Sequence, residues 1–193
     1  MKHTTIFALS LGAVFFAVGW LVDLNLAAGS SVTVTATVAA STVTCNTDVS
    51  SIDFGTLDTG SISTATPNAS TSLACNNAAG CTLNIKDANI GLATSSPAYT
   101  IDSADATLAI GTEGYGAQAT TTGSGSGGMV TVATKFNKTG NDVGGLSTSD
   151  AVLASSTEST SGYAVLVTHK ASISAITPAA SYTDTITYSC TGN

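Results

Sequence analysis

The sequence predicts an all-β protein, an antiparallel β-sandwich of the immunoglobulin-like sort, and three observations predict it. β-Branched residues recur in short runs of period two, no stretch after residue 32 keeps a helical period, and clusters rich in Gly, Asn and Asp punctuate the runs at short intervals. With 193 residues the chain is long enough to bury the core of one such domain.

The elements follow in order. Met1-Lys2-His3, the apolar run 6–22 and the small residues Ala27-Ala28-Gly29-Ser30 read as a secretory signal peptide over residues 1–29. A retained membrane anchor is the alternative reading of the same run. Val32, Val34, Ala36 and Val38 then alternate with Thr33, Thr35 and Thr37, the pattern of a strand with one apolar face. The apolar phase sits on even positions up to Ala40 and on odd positions at Val43 and Cys45, and a one-residue slip exchanges the two faces of a strand. Residues 30–41 are therefore read as an amino-terminal extension, hinged near Ala40-Ser41 and able to pair with a neighbouring molecule, in front of a sandwich domain at 42–193. One bulged strand that switches sheets is the other reading. Further strands are expected in 129–136, in 163–167, and in 182–188, where Tyr182, Asp184, Ile186 and Tyr188 alternate with threonines. Turns are expected at 58–60, 76–80, 123–128 and 140–145, the Gly-Ser-Gly-Ser-Gly-Gly stretch of 123–128 as a long hairpin loop.

Composition narrows the function. Only 9% of residues are charged, the formal net charge is −7, there is no Arg, and Ser and Thr fill 58 positions. A nucleic-acid binder needs clustered cations, and so does a protein that lies on anionic lipid; both classes are excluded, and membrane contact is expected only through the signal peptide. Cys45, Cys75, Cys81 and Cys190 make an even count in an exported chain, which reads as two disulfides. The six-residue gap from Cys75 to Cys81 lacks a metal-ligand spacing, and the pairing stays open among three connectivities.

No arrangement for catalysis stands out, and no cofactor or metal is expected. His169 is read as a surface histidine at a strand end, without a nucleophile elbow to serve. Asp102 and Asp105 lack the spacing of a calcium loop and read as solvated turn residues. Asp48, Asp53 and Asp58 read as caps of nearby backbone amides. The sequons at Asn68 and Asn137 match by chance in so Thr/Ser-rich a chain. Lys86, Lys135 and Lys170 lack an identifiable acid for an isopeptide cross-link.

Taken in order, the alternating extension 32–38, Cys45, Ile52-Asp53-Phe54-Gly55-Thr56-Leu57, Ser72-Leu73-Ala74-Cys75 and the closing Tyr182-Thr183-Asp184-Thr185-Ile186-Thr187-Tyr188 resemble the spore coat protein U domain, a family that includes the major pilins of archaic chaperone–usher pili. The resemblance implies a sandwich that lacks its last strand. The extension of one subunit would fill the groove of the next, with Val32, Val34, Ala36 and Val38 as pocket fillers. The groove would be flanked by the strand after Cys45 and by Tyr182, Asp184, Ile186 and Tyr188. It further implies a head-to-tail homopolymer at the cell surface and a periplasmic chaperone and usher as partners. The family's usual bridge would map to Cys45–Cys75, leaving Cys81 with Cys190; because the implied fold brings all four to one pole, Cys75–Cys81 with Cys45–Cys190 is the competing pairing. A different expectation comes from a self-complete sandwich: a monomeric adhesin in which 32–40 pairs inside its own sheet and the Gly-rich loops 111–128 and 137–147 bind glycan.

Overall fold

The structure, a computed structural model, describes residues 33–193; the expected signal peptide 1–29 and Val32 lie outside the described residues. The chain divides into two units, 1–39 and 40–193. In the first, residues 33–39 belong to no strand, and Val34 and Val38 are 87% and 83% exposed. The strand expected over 32–40 is thus absent from the described part.

The second unit carries fourteen strands and, among the described residues, no helix. They are β1 (Val43–Thr47), β2 (Ser63–Thr64), β3 (Ala69–Cys75), β4 (Cys81–Asp87), β5 (Gly91–Ser95), β6 (Ala98–Asp102) and β7 (Ala106–Thr107), then β8 (Gly114–Thr122), β9 (Ser126–Gly127), β10 (Thr131–Val132), β11 (Asp142–Val143), β12 (Ala151–Ser155), β13 (Thr160–Ser172) and β14 (Ile186–Gly192). One sheet runs β1-β3-β13-β8, with β2 and β9 pairing the two ends of the long central β13. The other runs β10-β12-β4-β14, and all these pairings are antiparallel. The fold is the all-β antiparallel sandwich that the alternation predicts.

Period two explains why these segments pack as they do. β3 turns Ala69, Thr71, Leu73 and Cys75 inward, and β4 turns Cys81, Leu83, Ile85 and Asp87 inward. Against them lie Ala117, Ala119, Leu153, Val165 and Val167, all buried. Each large aliphatic side chain so buried contributes about 1.5–3 kcal/mol relative to exposure. Asp87 is the exception in its row, a fully buried carboxylate at a position the register reserves for the core.

Three local expectations are corrected. Of 129–136 only Thr131–Val132 is strand; the rest turns so that the backbone N–H groups of Phe136 and Asn137 both donate to the Ala133 carbonyl, which drops the Phe136 ring into the core. The closing strand begins at Ile186, so Tyr182 and Asp184 precede it, held instead by a bridge between Thr183 and Ala93. The Gly-rich stretch 123–128 is not a hairpin loop: it leaves β8 of one sheet for β10 of the other, and β9 within it pairs with β13. Gly125 lies so close against the Tyr163 ring that a Cβ there would collide with it. The loop proposed at 111–128 for a binding module therefore contains β8, whose Gly114–Ala117 half is buried.

Candidate functional site: an open edge between the sheets

The two sheets end side by side in β1 and β14, each paired on one flank only among the described residues. Near Cys45 and Cys190 these edges are joined by a disulfide, with Cα atoms 6.0 Å apart. Cys75 and Cys81 form the second disulfide, 6.3 Å apart at Cα, on the turn between β3 and β4. The family-derived pairing of Cys45 with Cys75 is thus replaced by its competitor. Val43, not Cys45, lies opposite Cys75 in the β1–β3 register, while Cys45 stands at the rim facing the other sheet's edge.

Away from that stapled pole the edges diverge, and a cleft of about 1140 Å³ opens between them. One wall is the irregular run 49–57. It is fixed by the Asp53–Thr66 bridge, by Asp48 Oδ1 accepting from the Ser70 N–H at 2.8 Å, and by Asp53 Oδ1 accepting from the Gly55 N–H at 2.8 Å. Asp58 likewise accepts from the Gly60 N–H at 2.7 Å, so Asp53 and Asp58 cap local amides as expected, whereas the amide that Asp48 caps lies on β3. The other wall is 177–188. Thr177 and Ser174 donate to Glu113, which also accepts from the Tyr99 hydroxyl at 2.9 Å, and the Tyr182 hydroxyl donates to the Pro178 carbonyl at 2.8 Å. The walls present half-buried Phe54, Leu57, Ile173, Tyr182 and Ile186. Tyr182, Asp184, Ile186 and Tyr188 all line the cleft. Sequence reasoning missed 49–57 as a wall in its own right, and missed the floor.

The floor is polar. His169, expected at the surface, is 1% exposed on β13. Its Nδ1 is 3.1 Å from the Tyr115 hydroxyl and its Nε2 is 3.4 Å from the Tyr188 hydroxyl. Burial drives its pKa down to about 4, against a smaller opposing pull from Asp87, so the ring is neutral near pH 7. Burial raises the Tyr115 and Tyr188 hydroxyls above the usual phenol range, so both stay protonated and neutral. The expected strand-end position is corrected as well: β13 runs on to Ser172, so His169 lies within the strand, on the inward phase set by Val165 and Val167.

Beside this row sits a pair of carboxyls. Asp87 lies opposite Ile186 in the β4–β14 register, which makes Asp184 its diagonal neighbour on the same face. Asp87 Oδ1 accepts from the N–H groups of Asn89 and Ile90 at 2.6 and 3.0 Å, clamping a turn in which Ile90 has φ 65°, a strained value for a β-branched residue. Asp184 Oδ1 accepts from the Thr185 N–H at 2.7 Å. Asp87 Oδ2 and Asp184 Oδ2 are both buried and without a close hydrogen-bond partner among the described residues. Burial first, then the neighbouring Asp87 carboxyl, raise Asp184 to a pKa of about 7, opposed by the Thr185 N–H and the Tyr115 hydroxyl.

The remaining candidates stay apart from the cleft. Asp102 and Asp105 are exposed, and Asp105 lies 3.7 Å from the Lys138 ammonium. Lys170 Nζ is 3.5 Å from Asn141 Oδ1 at the surface, and Lys135 stacks over Phe136. Among the described residues no three His, Cys, Asp or Glu side chains converge to hold a metal ion. No family model matches the chain, and neither does any curated protein or solved structure.

Proposed function

We propose that the chain is a secreted, non-enzymatic structural subunit of a cell-surface fibre, and that the cleft receives residues 30–41 of a second copy. The observation that carries this reading is the pair of edges around the cleft. Among the described residues β1 (VTCNT) and β14 (ITYSCTG) are unpaired on their outer flanks, and they contain no charged residue. An edge that stays single in solution is ordinarily blunted with Lys, Pro or a bulge, and neither edge has a Lys or Pro. The extension fits the occupant's chemistry: Val32, Val34, Ala36 and Val38 form one apolar row, and six residue steps from 32 to 38 span roughly 20 Å as a strand, about the length of β14. Main-chain hydrogen bonds would supply affinity, and the alternate side chains would fill the cleft. A contact between unlike surfaces that does not close on itself builds a filament. Two disulfides agree with an oxidising compartment, and a chaperone that covers the cleft before assembly is the partner such an edge requires.

Negative-stain electron microscopy of the chain secreted into an oxidising compartment should show thin fibres, and deletion of 30–41 should abolish them. Fibres that persist after the deletion would overturn the reading. So would failure of a synthetic peptide of residues 30–41 to bind the deletion variant.

A further inference from the structure

We propose that the Asp87–Asp184 pair is a proton latch on the cleft: the incoming strand seats when one proton lies between the two carboxyls and is released when that proton leaves. This rests on the strand-filling reading above and concerns its regulation.

The geometry carries the argument. Asp184 is the carboxylate on the wall where the strand must lie, and Asp87 behind it is fully buried. Each has one buried oxygen without a close donor among the described residues. The groups that face the pair are all neutral: the Tyr115 hydroxyl from β8, His169 from β13, the Tyr188 hydroxyl from β14 and the Thr185 N–H. Across the cleft Asp53 is exposed and engaged with the Gly55 N–H. No Lys lines the cleft, and Lys86 points away on the solvent face of β4. The inward row of the extension, Val32 to Val38, brings no charge or hydroxyl. Seating it replaces water over Asp184 with methyl groups, and burying an ionised carboxylate without a partner is costly. A proton is therefore the neutraliser this site has, and strand seating takes it up. The empty cleft releases that proton near pH 7, where Asp184 titrates, while His169 stays neutral well below that range.

The test measures binding of a fluorescein-labelled peptide of residues 30–41 to the full secreted chain, by anisotropy, from pH 5.5 to 9. Affinity should be level below about pH 7 and fall about tenfold per pH unit above it, the slope of one linked proton. Asp184→Asn should flatten the profile, since an amide carries no charge to neutralise, and Asp87→Asn should move its break below pH 7, since Asp184 then loses the neighbouring carboxyl that raises it. Should neither variant fold, calorimetry of the wild type at pH 8 in two buffers of different ionisation enthalpy should still show about one proton taken up per peptide bound. A level wild-type profile, an unchanged slope in a folded Asp184→Asn, or no proton uptake would overturn the latch while leaving the fibre reading intact. Recovery of alkaline affinity by added Ca²⁺ would make the pair a cation site and overturn the latch too. Absence of peptide binding at every pH would overturn both.

Discussion

Removing the Cys45–Cys190 bridge should cost far more than removing Cys75–Cys81, although the latter is the more deeply buried. A cross-link limits the unfolded chain in proportion to the logarithm of the loop it closes: a separation of 145 residues corresponds to ~5 kcal/mol and a separation of 6 to ~2 kcal/mol. Replacing each pair by Ala also exposes sulfur. Counting a sulfur roughly as a methylene adds about 1.5 kcal/mol for buried Cys75 and Cys81, and about half that for half-buried Cys45 and Cys190. The expected losses are then ~6 kcal/mol for the long bridge and ~3.5 kcal/mol for the short one. Against a total of about 5–15 kcal/mol for a domain, the first loss alone brings the protein near its unfolding threshold. Urea unfolding of Cys45→Ala/Cys190→Ala and of Cys75→Ala/Cys81→Ala, with m-values compared, measures both. Equal losses, or a larger loss for the short bridge, would refute the view that the long bridge acts by tying the two open edges together in an otherwise unrestrained chain.

Gly80 closes the turn of the short bridge at φ 82°, and a Cβ there would strike the Ser156 carbonyl. Gly80→Ala should cost ~2–5 kcal/mol in urea unfolding, whereas Gly140→Ala, at φ 63° with open space around it, should cost only ~1–2 kcal/mol. Asp at both Val34 and Val38 should abolish fibres in electron micrographs while leaving the circular dichroism of the sandwich unchanged, because both side chains are exposed in the single chain.

The sandwich was legible because its strands obey one rule, an apolar face of period two, and β3, β4 and β13 keep it over seven or more residues. Legibility failed where tertiary partners override the local pattern. Residues 49–57 alternate imperfectly and form a wall only because Thr66 and Ser70 hold them. The acidic floor left a trace that was readable in principle: Asp87 continues the inward series Cys81, Leu83, Ile85, and Asp184 continues the inward series ending at Ile186 and Tyr188. A carboxylate in a core phase is an anomaly, but its meaning depends on a second carboxylate 97 positions away arriving on the same face. That meeting is set by the β4–β14 register, which no local window contains. The disulfide pairing was hidden for the same reason, since it depends on which edges end side by side.

The two titrating groups on the cleft floor act on stability in opposite directions, and this shapes what a pH profile can reveal. Asp184 has its folded pKa raised to about 7, so the stability it contributes is present below its ordinary value near 4 and is lost as pH rises towards 7. His169 has its folded pKa lowered to about 4, so its contribution is present above about 6.5 and is lost as pH falls towards 4. Between pH 4 and 6.5 each group is linked to up to one proton, with opposite sign, and the wild-type unfolding curve should be close to level. Asp184→Asn removes only the falling arm, so that variant should gain stability from pH 4.5 to 6.5. The His169 ring resonances should meanwhile stay those of neutral imidazole until pH nears 4. A level profile in Asp184→Asn, or a His169 that titrates near 6.5, would mean that the floor is wetter than its geometry implies, and that water rather than a shared proton satisfies the carboxyl pair.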